Sequence, residues 1–298
     1  MILFSFPEYQ YLALQIQRLP FVQSGQFRVS RFANQELYAV VETAVSGQHC
    51  LILGSIAPPD TQTLSLSLLA HTLKKEGAQR VSAVVPYLGY SRQDKRKAGE
   101  SLGTAWIGTI LEASGVDEVL TIDAHSNRDA ELFPIPLYSI SPAHLFAIAL
   151  VNSGLREATF VAPDTGAIAR CKEVENAAGL SSGEIVRFEK QRTESGITHC
   201  GPIGVVGPRV IIVDDMLDTG ETLVSACEKL KLAGVEKIYI AVTHGLFTGH
   251  RWQKLWSLGV ECIFCTDTIP LRSDIDASRI KILSVAPLVE EGLAALKK

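Results

Sequence analysis

Three acidic side chains fall within five positions of RVIIVDDMLDTGETL (209–223): Asp214, Asp215 and Asp218. The apolar run before them reads as a buried strand ending at the paired carboxylates, and a helix opens near Glu221 and Thr222. Between the two lie Asp218, Thr219 and Gly220. A glycine-containing loop at a helix N-terminus presents backbone N–H groups that suit a phosphate, and Thr219 and Thr222 add hydroxyl donors. Carboxylates beside a phosphate repel it unless they accept hydrogen bonds from sugar hydroxyls or help hold a metal ion. The segment therefore asks for a ligand with both a phosphate and a polyol. An ordinary capped turn would need only Asp218 or Thr219, and three acids exceed that need.

The other polar clusters are ambiguous on their own. Arg92 and Gln93 in SRQDKRK suit an adenine and its phosphates, because a guanidinium both stacks and pairs with anions; a solvated charge run is the plainer reading. Phe32, Asn34 and Glu36 in RFANQE have the types to stack on a base and bond its edge, yet they equally describe a turn at a strand edge. His125 follows the strand VLTIDA and Asp164 closes ATFVAPD, so both belong at the carboxyl edge of a sheet. Lys190 and Arg192 sit in VRFEKQRTESGITH, a polar hairpin or mobile loop between apolar segments. Cys262 and Cys265 form a C-x-x-C without the second pair a zinc site needs, and VECIFC reads as a strand with buried thiols.

These residues need a scaffold, and the chain repeats one. EGAQRVSAVVPY (76–87), SGVDEVLTIDAH (114–125) and AGVEKIYIAVTH (233–244) each follow a helical stretch, carry a glycine that ends it, and continue into a β-branched apolar run. A glycine past the last turn takes the left-handed conformation that closes a helix, and near-continuous apolar runs suit strands buried on both faces. Leu223, Ala226, Cys227 and Leu230 give the third helix one apolar stripe. The pattern predicts an α/β protein of mostly parallel sheets flanked by helices. FPIPLYSISP (133–142) is the expected junction between halves at 1–142 and 143–298, with the last helix free to pack on the first half. At 298 residues, 47% hydrophobic and net charge −4, disorder and a general polyanion-binding surface are excluded, so no nucleic-acid partner is expected. The start lacks a signal-peptide pattern. The apolar run Leu145–Val151 falls short of the roughly 20 residues a bilayer requires, so no membrane association is expected. Cytoplasmic location follows as an expectation.

The motifs together resemble the ribose-phosphate diphosphokinase (PRPP synthetase) family. VVDDMLDTGET is similar to the phosphoribosyl-diphosphate loop of the type I phosphoribosyltransferase fold. VVPYLGYSRQDKRKAGE (84–100) resembles the family's ATP-binding segment, RFANQE its adenine-contacting loop, and TIDAHS and VAPDTG its metal-binding segments. RFEKQR (187–192) resembles its catalytic loop, and THGLFTG and TDTIPL its later landmarks. The resemblance implies two tandem phosphoribosyltransferase-like domains, the first binding ATP and the second ribose 5-phosphate. It implies ATP contacts from Phe32, Asn34, Glu36, Arg92 and Gln93, and sugar-phosphate contacts from Asp214, Asp215, Asp218, Thr219, Gly220 and Thr222. Mg²⁺ would be held by His125 and Asp164, and Lys190 and Arg192 would close over the transferring phosphates. The reaction implied is diphosphate transfer from ATP to ribose 5-phosphate, giving PRPP and AMP. Because the family's RFANQE-type loop reaches the neighbouring subunit's ATP, a homo-oligomer, dimer or higher, is also implied. Two rivals share the 209–223 loop: a phosphoribosyltransferase consuming PRPP, and a non-catalytic subunit of the same family. The chain departs from the family pattern at Glu221, an extra carboxylate near the phosphate site. It also departs at Ser46, where longer members carry the arginine of an allosteric phosphate site.

Overall fold

A computed structural model describes residues 1–126, 128–180, 184–193 and 196–297, with the side chains of 190–193 and 196–199 outside the description. The chain forms two compact units, Met1–Ile140 with Val285–Lys298, and Ser141–Ser284.

Unit 1 contains β1 (Ile2–Ser5), α1 (Gln10–Ile16), β2 (Gln23–Ser24), β3 (Phe27–Arg31), β4 (Leu37–Val41), β5 (His49–Leu53), α2 (Thr61–Lys75) and β6 (Arg80–Val84). It continues with α3 (Gly103–Ala113), β7 (Glu118–Ile122), α4 (Asp129–Leu132) and β8 (Leu137–Ile140). Its main sheet has the order β2-β1-β5-β6-β7-β8 and every described pairing is parallel. All the loops after these strands therefore open on one edge. The antiparallel pair β3–β4 forms its own small sheet, and Phe27 meets Phe4 and Phe6 edge-on at 5.9 and 5.2 Å.

Unit 2 contains α5 (Ala143–Asn152), β9 (Thr159–Ala162), α6 (Ile168–Ala177), β10 (Val186–Thr193), β11 (Gly196–Ile203), β12 (Arg209–Leu217) and α7 (Glu221–Leu232). It then adds β13 (Lys237–Gly245), α8 (Lys254–Ser257), β14 (Val260–Thr266) and β15 (Ile280–Leu283). The sheet order is β11-β10-β9-β12-β13-β14-β15, parallel apart from β10–β11. The helix α9 (Ala286–Leu296) belongs to unit 1. It packs so closely there that a Cβ at Gly292 would lie 2.6 Å from Ile140 and 2.8 Å from Leu120.

The repeated helix–glycine–strand pattern is physically expressed. Gly77, Gly115 and Gly234 close α2, α3 and α7 with φ of 86°, 91° and 88°, and β6, β7 and β13 follow. The predicted stripe of α7 is buried against the β12–β14 core. At roughly 1.5–3 kcal/mol for each large apolar side chain removed from water, such stripes hold the helices on the sheets. The fold is thus the expected α/β architecture of mostly parallel sheets flanked by helices. Two local differences stand out. The proline-rich stretch 133–142 contains the strand β8, because its prolines lie outside the four paired residues. And β12 runs past the aspartates to Leu217, since its pairing with β13 continues through Met216 and Leu217.

Candidate active site

In unit 2 the chain leaves β9 toward β10 on one side and returns to β12 on the other. Such a reversal opens a crevice outside the carboxyl ends of the strands, where α/β sheets bind ligands. Asp164 follows β9, and the Asp214–Thr222 segment ends the neighbouring strand β12. The sheet therefore brings five of the expected side chains, those of Asp164, Asp214, Asp215, Asp218 and Thr219, to one edge. Asp215 is 6% exposed and Asp214 half-buried, and the Asp215 N–H donates to Asp214 Oδ1 at 3.0 Å. Asp218 and Thr222 are half-buried and Thr219 exposed. The Ala167 N–H donates to Asp164 Oδ1 at 3.0 Å, which holds that carboxylate at the start of α6.

Gly220 is required twice over. Its φ of 82° is left-handed, and a Cβ there would stand 2.7 Å from the Cα of Trp252. As N-cap of α7, Gly220 has no side chain to close the helix start, and the first-turn N–H groups face the loop. The support behind this loop comes from the segment after β13. Leu246 and Phe247 donate N–H bonds to Leu217 O at 2.9 and 3.0 Å, and Thr248 donates to Asp218 O at 3.1 Å. Trp252 packs edge-on to Phe247 with centroids 4.9 Å apart. Sequence reasoning missed this brace. The glycine-flanked THGLFTG motif was visible, but nothing in its spacing points to a partner some 30 residues earlier. His244, also left unassigned, is 2% exposed and its Nδ1 lies 2.9 Å from Thr268 Oγ1 at the same edge.

Unit 1 gathers the expected nucleotide-binding residues differently. Arg92 and Gln93 are exposed on the loop after β6. Thr104 at the start of α3 donates to Ser91 O and Gln93 O at 3.2 and 3.4 Å, and Ser101 donates to Gln93 Oε1 at 2.6 Å. His125 is exposed on the loop after β7. Asp123, with φ of 46°, turns the chain out of the strand just before it, and the Ala124 N–H is anchored on Ser139 Oγ at 2.9 Å. Both loops leave adjacent strands at one sheet edge. Phe32, 55% exposed, lies at the tip of the β3–β4 hairpin with its ring 4.5 Å from that of Tyr38. Asn34 Oδ1 accepts the Glu36 N–H at 3.2 Å and shapes the turn. Lys190 and Arg192 fall on β10, opposite His199 and Ile197 of β11, and their side chains lie outside the described residues.

The donors present suit a hard cation that arrives with its ligand. Among the described residues no group of three or more His, Cys, Asp or Glu side chains is close enough to hold a metal alone. Mg²⁺ is commonly held by one or two carboxylates plus substrate phosphates, and of the two expected holders Asp164 offers carboxylate oxygens at the switch point. Of the C-x-x-C pair, Cys265 is buried, and burial pushes its thiol up to about 12. No helix among the described residues is long and apolar enough to cross a membrane.

Family models match the chain at both ends. Residues 1–115 match the N-terminal domain of ribose phosphate pyrophosphokinase, and residues 169–297 match the phosphoribosyl synthetase-associated domain. The chain is 31% identical to the ribose-phosphate pyrophosphokinase of Haemophilus influenzae over 95% of its own length and 91% of that protein. It is 32% identical to the enzyme of Methanothermobacter thermautotrophicus over 88% of each. The crystal structure of phosphoribosylpyrophosphate synthetase from Mycobacterium smegmatis superposes with a TM-score of 0.89 at 25% identity, covering 99% of this chain and 98% of that one. With relatives of 30% identity or more matched along nearly their full length, the chain belongs to the ribose-phosphate pyrophosphokinase family.

Proposed function

We propose that the chain transfers the diphosphate of ATP to O1 of ribose 5-phosphate, giving PRPP and AMP, with the work divided between its two sheet edges. The observation that carries this reading is the β12–α7 loop, where Asp214 and Asp215 near the end of a buried strand are followed within a few residues by a left-handed Gly220 at a helix N-terminus. The 5-phosphate binds the N–H groups of Gly220–Thr222 with the Thr219 and Thr222 hydroxyls. Asp214 and Asp215 accept hydrogen bonds from the ribose hydroxyls, and Asp218 shapes the loop between them. Arg92 and Gln93 hold the nucleotide's phosphates and base, and Phe32, Asn34 and Glu36 reach the ATP of a neighbouring copy in a homo-oligomer. The sugar O1 attacks the β-phosphorus in line while AMP leaves, a reaction governed by positioning and charge neutralisation. Lys190 and Arg192 neutralise charge as it moves toward the leaving oxygen. Mg²⁺ held through Asp164 and His125 would supply further neutralisation of the phosphates. The expected setting is the cytoplasm.

Incubation with Mg²⁺, ATP and ribose 5-phosphate, followed by nucleotide chromatography, tests the reading. AMP in equal amount to PRPP is expected. ADP would mark a simple kinase, and no turnover would favour the non-catalytic subunit. PRPP consumption with a purine or pyrimidine base would favour the phosphoribosyltransferase.

A further inference from the structure

Glu221 adds a fourth carboxylate to the loop that already carries Asp214, Asp215 and Asp218, and it occupies the first position of α7. An acidic side chain there interacts favourably with the helix dipole. A substrate phosphate seeks the same field, so an uncompensated Glu221 would oppose it. The structure supplies a counter-charge from the segment that braces the loop. Arg251 Nη1 lies 3.4 Å from Glu221 Oε1, and no other hydrogen bond of this guanidinium is made among the described residues. Its backbone is held in place by its neighbours. Trp252 is 3% exposed and touches Gly220 so closely that a Cβ there would meet it. The Trp252 indole N–H donates to Gly249 O at 3.1 Å, and the Thr248 N–H donates to Asp218 O.

We propose that Arg251 is a positioning residue for sugar-phosphate binding: it draws the Glu221 carboxylate aside and cancels its charge, so the first turn of α7 stays receptive to the 5-phosphate. The proposal rests on the β12–α7 loop being the ribose 5-phosphate site. An Arg–carboxylate pair on the surface contributes little to stability, and here the Arg251 side chain is 53% exposed and that of Glu221 28%. Its consequence is therefore expected in substrate affinity and not in folding.

Steady-state kinetics on Arg251→Ala, Glu221→Ala, the double variant and Asp218→Ala separate the outcomes. Arg251→Ala should raise the KM for ribose 5-phosphate roughly 10-fold, the effect of one like charge near a bound anion, with the KM for ATP and the thermal midpoint unchanged. Glu221→Ala should leave the sugar-phosphate KM at or below wild type. The double variant should return it to within about 3-fold of wild type, since removing both charges restores the balance. An unchanged KM in Arg251→Ala overturns the inference, as does a double variant as impaired as Arg251→Ala. Asp218→Ala is the control on the site itself. If it leaves the ribose 5-phosphate KM unchanged, the loop assignment fails and the inference with it; if it raises that KM while Arg251→Ala does not, the inference alone fails.

Discussion

Asp129 is a buried carboxylate that the proposed chemistry does not use, and its ionisation should cost stability. It is 0% exposed in α4, its Oδ2 accepts the Ser126 N–H at 3.1 Å, and its Oδ1 has no partner among the described residues. Burial pushes its carboxyl up from 3.8 to about 6, with Asp94 pushing the same way and the Ser126 amide and His125 opposing. At about 1.4 kcal/mol per pH unit, that difference corresponds to about 3 kcal/mol against the ionised form. The folded state binds the proton more tightly than the unfolded chain. The penalty is therefore absent below about pH 3.8, grows between there and about pH 6, and is complete above it. Asp129→Asn keeps an acceptor for Ser126 and cannot titrate. Its packing cost is the same at every pH, so the pH dependence of the variant-minus-wild-type difference isolates the charge. Urea unfolding followed at about pH 4.5 and about pH 8 should show that difference moving in favour of the variant by about 2 kcal/mol. A difference that stays constant, or that favours the wild type more at the higher pH, would show that ionised Asp129 carries no such penalty.

The site makes further demands. Thr222→Val removes a hydroxyl from the sugar-phosphate loop and should lower kcat/KM for ribose 5-phosphate about 10-fold while sparing the KM for ATP; selective loss of ATP affinity would contradict the assignment. Lys190→Ala and Arg192→Ala should lower kcat at least about 100-fold with substrate binding nearly intact by calorimetric titration, because they act on charge that develops in the transition state. Wild-type turnover in either variant would remove them from the mechanism. With Ser46 at the turn where longer relatives of the family carry arginine, ADP inhibition should be purely competitive with ATP and no phosphate requirement should appear. Inhibition that persists at saturating ATP and is relieved by phosphate would show the opposite.

What was legible in the sequence was whatever local physics writes there. Gly77, Gly115 and Gly234 announced helix ends because only a left-handed residue closes α2, α3 and α7 in this way. The acidic loop was legible because Asp214, Asp215, Asp218 and Gly220 lie within seven positions. Features built from distant residues were not. Gly220 gives no sign that Trp252 will press against it, nor Glu221 that Arg251 will face it. Burial of Asp129 depends on how the loops around α3 and α4 fold over it, and an aspartate in SNRDAELF reads as exposed. β8 escaped notice because prolines on both sides of a four-residue strand mimic a linker.

In the proposed reaction the bond broken in ATP lies between the α- and β-phosphoryl groups. ATP labelled with ³²P at the β-phosphorus, incubated with ribose 5-phosphate and Mg²⁺, tests it directly. The label should move entirely into the sugar 1-diphosphate while the AMP formed is unlabelled. Label left on a nucleoside diphosphate, with a singly phosphorylated C1 on the sugar, would contradict it.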